Sequence, residues 1–183
     1  MDSIVAKAYE VFSSYNVNLP LDVCTECCMK PMDAERLSKY KVSDIPLELL
    51  MEYNDHASSG NSLNSEIKHF LPRYIELAFS FDFPSHSPEL TFTRMEPLAI
   101  DDWTEIELNF LGEFSETYFN LCLRQYPLPE SMMLIDVLIM LWKTPFLPSS
   151  LLELWKRDDS LTSLLHFKDL WFDGFKSKRG NVL

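Results

Sequence analysis

The stretch DDWTEIELNFLGEFSETYFNLCLRQ, residues 101–125, decides the fold class. Trp103, Ile106, Phe110, Leu111, Phe114, Tyr118, Leu121 and Cys122 follow one another at the spacing that lays one face of an α-helix on a core. Gly112 is a mild penalty inside the pattern, about 1 kcal/mol against alanine. Pro127 and Pro129 end it, because proline has no N–H to continue the helix.

The same period recurs on both sides of this segment. Residues 3–15 place Ile4, Val5, Ala8, Val11, Phe12 and Tyr15 on one stripe. Residues 16–30 read as a loop holding a cysteine cluster, and Pro31 suits the first position of a short helix over 31–40. Ser43 is placed to cap a further helix with Pro46 in its first turn. HASSGNSLNS, residues 56–65, is a loop. The spacing of Ile67, Phe70, Leu71, Tyr74, Ala78 and Phe81 predicts an amphipathic helix over 65–80, kinked or split at Pro72. Residues 82–100 carry three prolines and little periodicity, so the chain is expected to cross there between helical layers.

Beyond the quoted stretch, Glu130 to Lys143 is apolar almost all round, which predicts a central buried helix. Ser149 or Ser150 begins a helix reaching Arg157. Asp159 or Ser160 begins the last, whose stripe is Leu161, Leu164, Leu165, Trp171, Phe172 and Phe175. Residues 176–183 read as a frayed basic tail. Only the Thr-Phe-Thr of 91–93 hints at a strand. The expected fold is all-α: a single domain over 1–183, a compact bundle of about eight helices. An irregular stack of helical hairpins is the alternative.

Composition supports one domain and excludes several functions. The chain has 183 residues, 46% of them hydrophobic, enough to build a core without disulfides. It has only 4 glycines against 11 prolines, and neither a GxGxxG nor a GxxxxGK[ST] motif, so the usual nucleotide cradles are missing. Its net charge of −12 disfavours nucleic acid, whose binding rests on clustered Lys and Arg. The longest apolar run is far short of the ~20 residues of a membrane span. The N-terminus, broken by Asp2, Lys7 and Glu10, does not read as a signal peptide. A cytoplasmic protein with reduced thiols is expected.

Three constellations carry the functional candidates. The first is Cys24-Thr25-Glu26-Cys27-Cys28-Met29, where Cys24 and Cys27 have the spacing of half a zinc site. His69 is the leading third ligand, with Cys122, His56 and His166 as others. The same cysteines also fit buried small hydrophobes or a redox pair, although the latter belongs with βαβ units not seen here. The second is Glu66, His69, Arg73 and Glu76, expected on the polar face opposite Phe70 and Tyr74. Glu66-x-x-His69 has di-iron spacing, but a di-iron site needs a second such motif. A solvated face braced by an Arg73–Glu pair, or an acid–base role for His69, fits the same residues.

The third constellation is acidic. Residues 95–123 hold Glu96, Asp101, Asp102, Glu105, Glu107, Glu113 and Glu116 and no Lys or Arg. These are expected opposite the Trp103/Phe114 stripe, where Asp102, Glu105, Glu113 and Glu116 form a docking face for a basic protein. His166, Asp169 and Asp173 are expected to decorate one face of the last helix, and His86 has no evident partner. The function these readings favour is a non-catalytic helical interaction protein, immunity- or adaptor-like. A small metal-binding protein using Cys24 and Cys27 is the alternative, with zinc as the implied ion. An enzyme lacking recognisable motifs is a third reading.

The segment Cys24-Thr25-Glu26-Cys27-Cys28-Met29 with Pro31, and the segment Phe70-Leu71-Pro72-Arg73-Tyr74-x-Glu76-Leu77, resemble in order and spacing a group of uncharacterised bacterial helical proteins. Tyr53 and the 101–125 helix extend the resemblance over much of the chain. It implies no activity. It implies that the cysteine cluster and the Pro72-Arg73-Tyr74 turn form one design, with the cysteine loop packed against the expected kink.

Overall fold

The computed structural model describes residues 2–24, 29–55, 63–145 and 149–176. Among these residues there are eight α-helices and no strand: α1 (Asp2–Val11), α2 (Pro31–Lys39), α3 (Leu47–Asn54), α4 (Leu63–Phe79), α5 (Glu105–Leu123), α6 (Leu134–Trp142), α7 (Ser149–Arg157) and α8 (Leu161–Lys176). The fold is an all-α bundle. Short 3-10 turns fill the connections, at Val42–Asp44, Pro88–Leu90, Thr93–Met95, Ile100–Asp102 and Pro129–Ser131. The Thr-Phe-Thr segment falls among these turns and forms no strand. Of the loop predicted at 56–65, residues 63–65 instead begin α4, and of the tail predicted at 176–183, Lys176 instead ends α8; the rest of both lies outside the described residues.

α4 and α5 are the axis of the core. α1 packs on both; α6, α7 and α8 all contact α5; α2 and α3 pair with each other. In α4 the side chains of Ile67, Phe70, Leu71, Tyr74, Ile75 and Ala78 are fully buried. They lie on both sides of Pro72, and α4 continues as one helix through it, in place of a split into two. An interior proline costs ~3 kcal/mol. Burial of a large apolar side chain returns roughly 1.5–3 kcal/mol, and α4 buries several on each side of the proline, so the packing outweighs the penalty.

The end of α4 explains the direction of the next segment. The Phe81 N–H donates to the Ala78 carbonyl at 3.0 Å and the Asp82 N–H to the Leu77 carbonyl at 3.0 Å, with Phe81 left-handed at φ 60°. This is a Schellman stop with phenylalanine where glycine usually sits. It swings the chain away after Phe79 and leaves Phe81 half-buried beside the Tyr118 ring.

α5 begins with a capping box. The Thr104 hydroxyl accepts from the Glu107 N–H at 3.3 Å, and the Glu107 carboxylate accepts from the Thr104 N–H at 2.7 Å. The buried stripe then runs Glu107, Phe110, Leu111, Phe114, Tyr118 and Cys122. Ile106, expected in that stripe, is 70% exposed, and Glu107 takes the inward place.

Three further expectations change. Pro46 is the N-cap of α3 rather than a first-turn residue, and Ser43 belongs to the preceding 3-10 turn. α6 is shorter than 130–143 and is not buried all round, since Ile139 and Trp142 face outward. α8 docks mainly by its polar side: Ser163 and His166 are buried and Leu165 half-buried, while Leu161, Leu164, Trp171 and Phe172 are exposed, and the Phe175 side chain lies outside those described.

Candidate functional site

Of the cysteine candidates, only Cys24 and Cys122 are among the described residues. Cys24 is half-buried, and Cys27, Cys28 and His56 lie outside the described residues. His69 donates Nδ1–H to the Tyr15 carbonyl at 2.8 Å, which leaves only Nε2 able to ligate an ion. Cys122 is buried in α5, where burial pushes its thiol up to about 12, against the smaller opposing effect of the neighbouring Tyr118 hydroxyl. His166 bonds the Gln125 carbonyl at 2.9 Å. Among the described residues no three His, Cys, Asp or Glu side chains converge as a metal site.

The predicted polar face of α4 divides into two braces. Glu66 is buried, not solvated. Its carboxylate accepts the Asp22 N–H at 2.9 and 3.1 Å and the Tyr53 hydroxyl at 3.2 Å. The Arg94 guanidinium lies 3.9 Å from the Tyr53 ring centroid and donates to the Asp22 carbonyl at 3.2 Å. The segment leading into the cysteine cluster is thus anchored at Glu66, more than a turn before Pro72. The second brace is the expected Arg73–Glu pair, which is made with Glu76 at 2.8 Å. Glu76 also accepts the Tyr9 hydroxyl of α1 at 2.6 Å, and Arg73 Nε donates to the Ile45 carbonyl at 3.1 Å. Both clusters join separate parts of the chain.

Glu107 leaves the acidic face for a buried ion pair. Lys68 Nζ sits 3.0 Å from its carboxylate, both side chains almost without exposure. The same ammonium donates to the Tyr15 hydroxyl and the Asp102 carbonyl, and lies 4.7 Å from the Trp103 ring centroid. Burial pushes the Glu107 carboxyl up. The Thr104 N–H, the Tyr15 hydroxyl and Lys68 outweigh it and hold the group below its ordinary value.

What remains on the surface is a ridge. Glu105, Glu113 and Glu116 are exposed, and their spacing sets them within an arc of about 80° on α5. Asp102 lies just before them, exposed, accepting the Ala99 N–H at 2.7 Å and the Asn64 amide at 3.2 Å. Glu113 pairs with Lys7 of α1. Glu105 and Glu116 form no ion pair with a described residue. Glu96, from the same one-signed stretch, pairs with Lys143.

A second acidic surface lies away from α5. A cleft of about 430 Å³ opens between the 81–89 segment and the start of α6, and its walls carry Asp82, Glu89, Glu130, Asp136 and His86. Among the described residues no Lys or Arg lines it. Burial, with the charge of Glu89 added, raises the Asp136 carboxyl above its ordinary value, although the Met133 N–H works against this. Three lining residues, Phe81, Glu130 and Ser131, are left-handed without being glycine. Sequence offered no signal for this cleft, because its acids come from segments more than 40 positions apart. His86, expected without a partner, faces Asp55 at 3.5 Å.

No protein-family model matches the chain, and comparison with curated proteins and with solved structures finds no match either. Among the described residues no helix is long and apolar enough to cross a membrane.

Proposed function

We propose that this chain is a non-catalytic interaction protein that docks a basic partner on the α5 ridge of Asp102, Glu105, Glu113 and Glu116. The observation that carries the reading is the Lys7–Glu113 pair. A lysine from another helix already seats on the ridge, and the neighbouring Glu105 and Glu116 offer the same chemistry with no cation of the described residues on them. The net charge of −12 supports it, because a one-signed field speeds encounter with a basic surface. The acidic cleft adds a second surface of the same sign.

The test is binding of a lysine-rich peptide, followed by calorimetry at two salt concentrations. Glu105→Lys/Glu113→Lys/Glu116→Lys is expected to weaken binding at least tenfold, and salt to weaken the wild type. Asp102 is left intact because it also bonds the Ala99 N–H. Reversing the exposed Glu10, Glu48 and Glu52 makes the same net-charge change elsewhere. Equal weakening by that control set overturns the ridge as the docking site.

A further inference from the structure

α8 shows an amphipathic pattern mounted the wrong way round. Leu161, Leu164, Phe167, Trp171 and Phe172 are between 42% and 71% exposed, and Leu152 of α7 beside them is 49% exposed. Between the two helices lies an apolar groove of about 380 Å³, with Trp155, Leu164, Phe167 and Leu170 in its wall. Large apolar side chains present on the order of 150–250 Å² each when free of contacts. Six of them at about half exposure leave roughly 600 Å² of apolar surface. That is the upper limit of the largest patch on a typical monomer, and most of the ~800 Å² that each partner contributes to a standard interface.

Charge identifies the occupant. Residues 1–148 carry 23 acidic and 10 basic side chains, whereas residues 149–176, which span α7 and α8, carry 5 and 4. The α7–α8 layer is therefore near neutral on an otherwise strongly acidic chain. It is a face on which two identical −12 molecules approach with reduced like-charge repulsion. Its rim holds both signs, in Lys156, Asp158 and Lys168, so a rotated copy has opposite charges to meet. We propose that the exposed face of α8, with Leu152 of α7 beside it, is the contact through which two copies of this chain pair about a two-fold axis. Symmetry makes the patch its own complement, with ridge and groove present on both sides. The dimer is independent of the α5 ridge reading.

Sedimentation equilibrium of the full chain across loading concentrations of about 1–300 µM tests this; association at this patch size is expected at micromolar level. The mass is expected to rise from 21.4 kDa towards twice that value. Leu161→Asp/Leu164→Asp is expected to remain at the monomer mass with unchanged helical circular dichroism, while Glu105→Lys leaves association intact. Hydrogen exchange gives a second readout: amides of 161–172 in the wild type slow as concentration rises. A wild type that stays monomeric throughout overturns the proposal, as does equal self-association by the double variant. A double variant that unfolds as a core substitution would shows the face covered from within the chain, and also overturns it.

Discussion

α5 and α8 are both amphipathic helices with a clear apolar stripe, and they use it in opposite ways. α5 turns its stripe inward. The Phe114 ring packs edge-on against Phe79 and Phe92 at 6.0 and 5.9 Å between centroids, and stacks on Tyr118 at 5.9 Å. α8 turns its polar side inward and docks largely by hydrogen bonds, with Leu170 a partly buried apolar contact to the core. His166 donates to the Gln125 carbonyl at 2.9 Å, Asp169 accepts the Tyr126 hydroxyl at 2.8 Å, and the Ser163 carbonyl accepts from Trp155 Nε1 at 3.3 Å. Periodicity says which residues share a face. Which face meets the core depends on what the neighbouring elements offer, and the neighbours of α8 offer a carbonyl, a hydroxyl and an indole N–H.

The deepest test of that contrast is the one charged pair inside the α4–α5 contact. Lys68→Met removes the cation and leaves Glu107 buried, which costs about 3–5 kcal/mol. Lys68→Met/Glu107→Leu is expected to recover much of this, since a packed apolar pair avoids the desolvation penalty. The pH dependence has a definite sign. Glu107 is held below its ordinary 4.5 in the folded state, so its contribution is complete above that value and is lost as pH falls through the lower, folded value. Denaturant midpoints of wild type and Lys68→Met should therefore converge on acidification. A gap that stays constant with pH would mean that the pair does not clamp α4 to α5.

Truncation on the two stripes comes next in size. Leu111→Ala, at a fully buried position of α5, is expected to cost about 2–5 kcal/mol. Leu164→Ala, on the outward face of α8, is expected to cost under ~0.5 kcal/mol in dilute protein. Thermal unfolding of both variants reads the difference directly, and similar losses would erase the contrast.

This pair of leucines also marks how much was legible in the sequence. The all-α fold and most helix positions followed from spacing: 101–125 against Glu105–Leu123, 65–80 against Leu63–Phe79, 31–40 against Pro31–Lys39. Local chemistry set these. The acidic ridge was legible too, because Glu105, Glu113 and Glu116 needed only helix geometry and no partner to be placed outside. The misplaced side chains all depended on distant partners. Glu107 is buried because Lys68 meets it, 39 positions away in the chain, and Glu66 because it bonds Asp22, 44 positions away. The continuity of α4 through Pro72 is set by what the helix buries on each side, which the proline itself does not encode. The orientation of α8 needed the Gln125 carbonyl and the Tyr126 hydroxyl, neither of which belongs to a periodic pattern.

The smallest expected effect lies in the hydroxyl that helps to hold α8. The Asp169 hydrogen bond, then burial and the Asp169 charge, raise the Tyr126 phenol above its ordinary 10.0. The bond needs a protonated hydroxyl to donate. Its contribution is complete below the ordinary value and is lost as pH rises through the folded one. Other tyrosines also ionise in alkali, with Tyr53 and Tyr74 raised by burial, so the informative quantity is the difference between wild type and Tyr126→Phe. At neutral pH the variant should unfold slightly before wild type, with faster hydrogen exchange confined to α8. Above pH 10 the two should converge, because ionised Tyr126 no longer donates and repels Asp169 instead. The core of α4 and α5 should show no such dependence on this substitution. If the two unfolding curves run parallel into alkali, Tyr126 does not hold α8, and the polar docking that separates α8 from α5 rests on His166 and Ser163 alone.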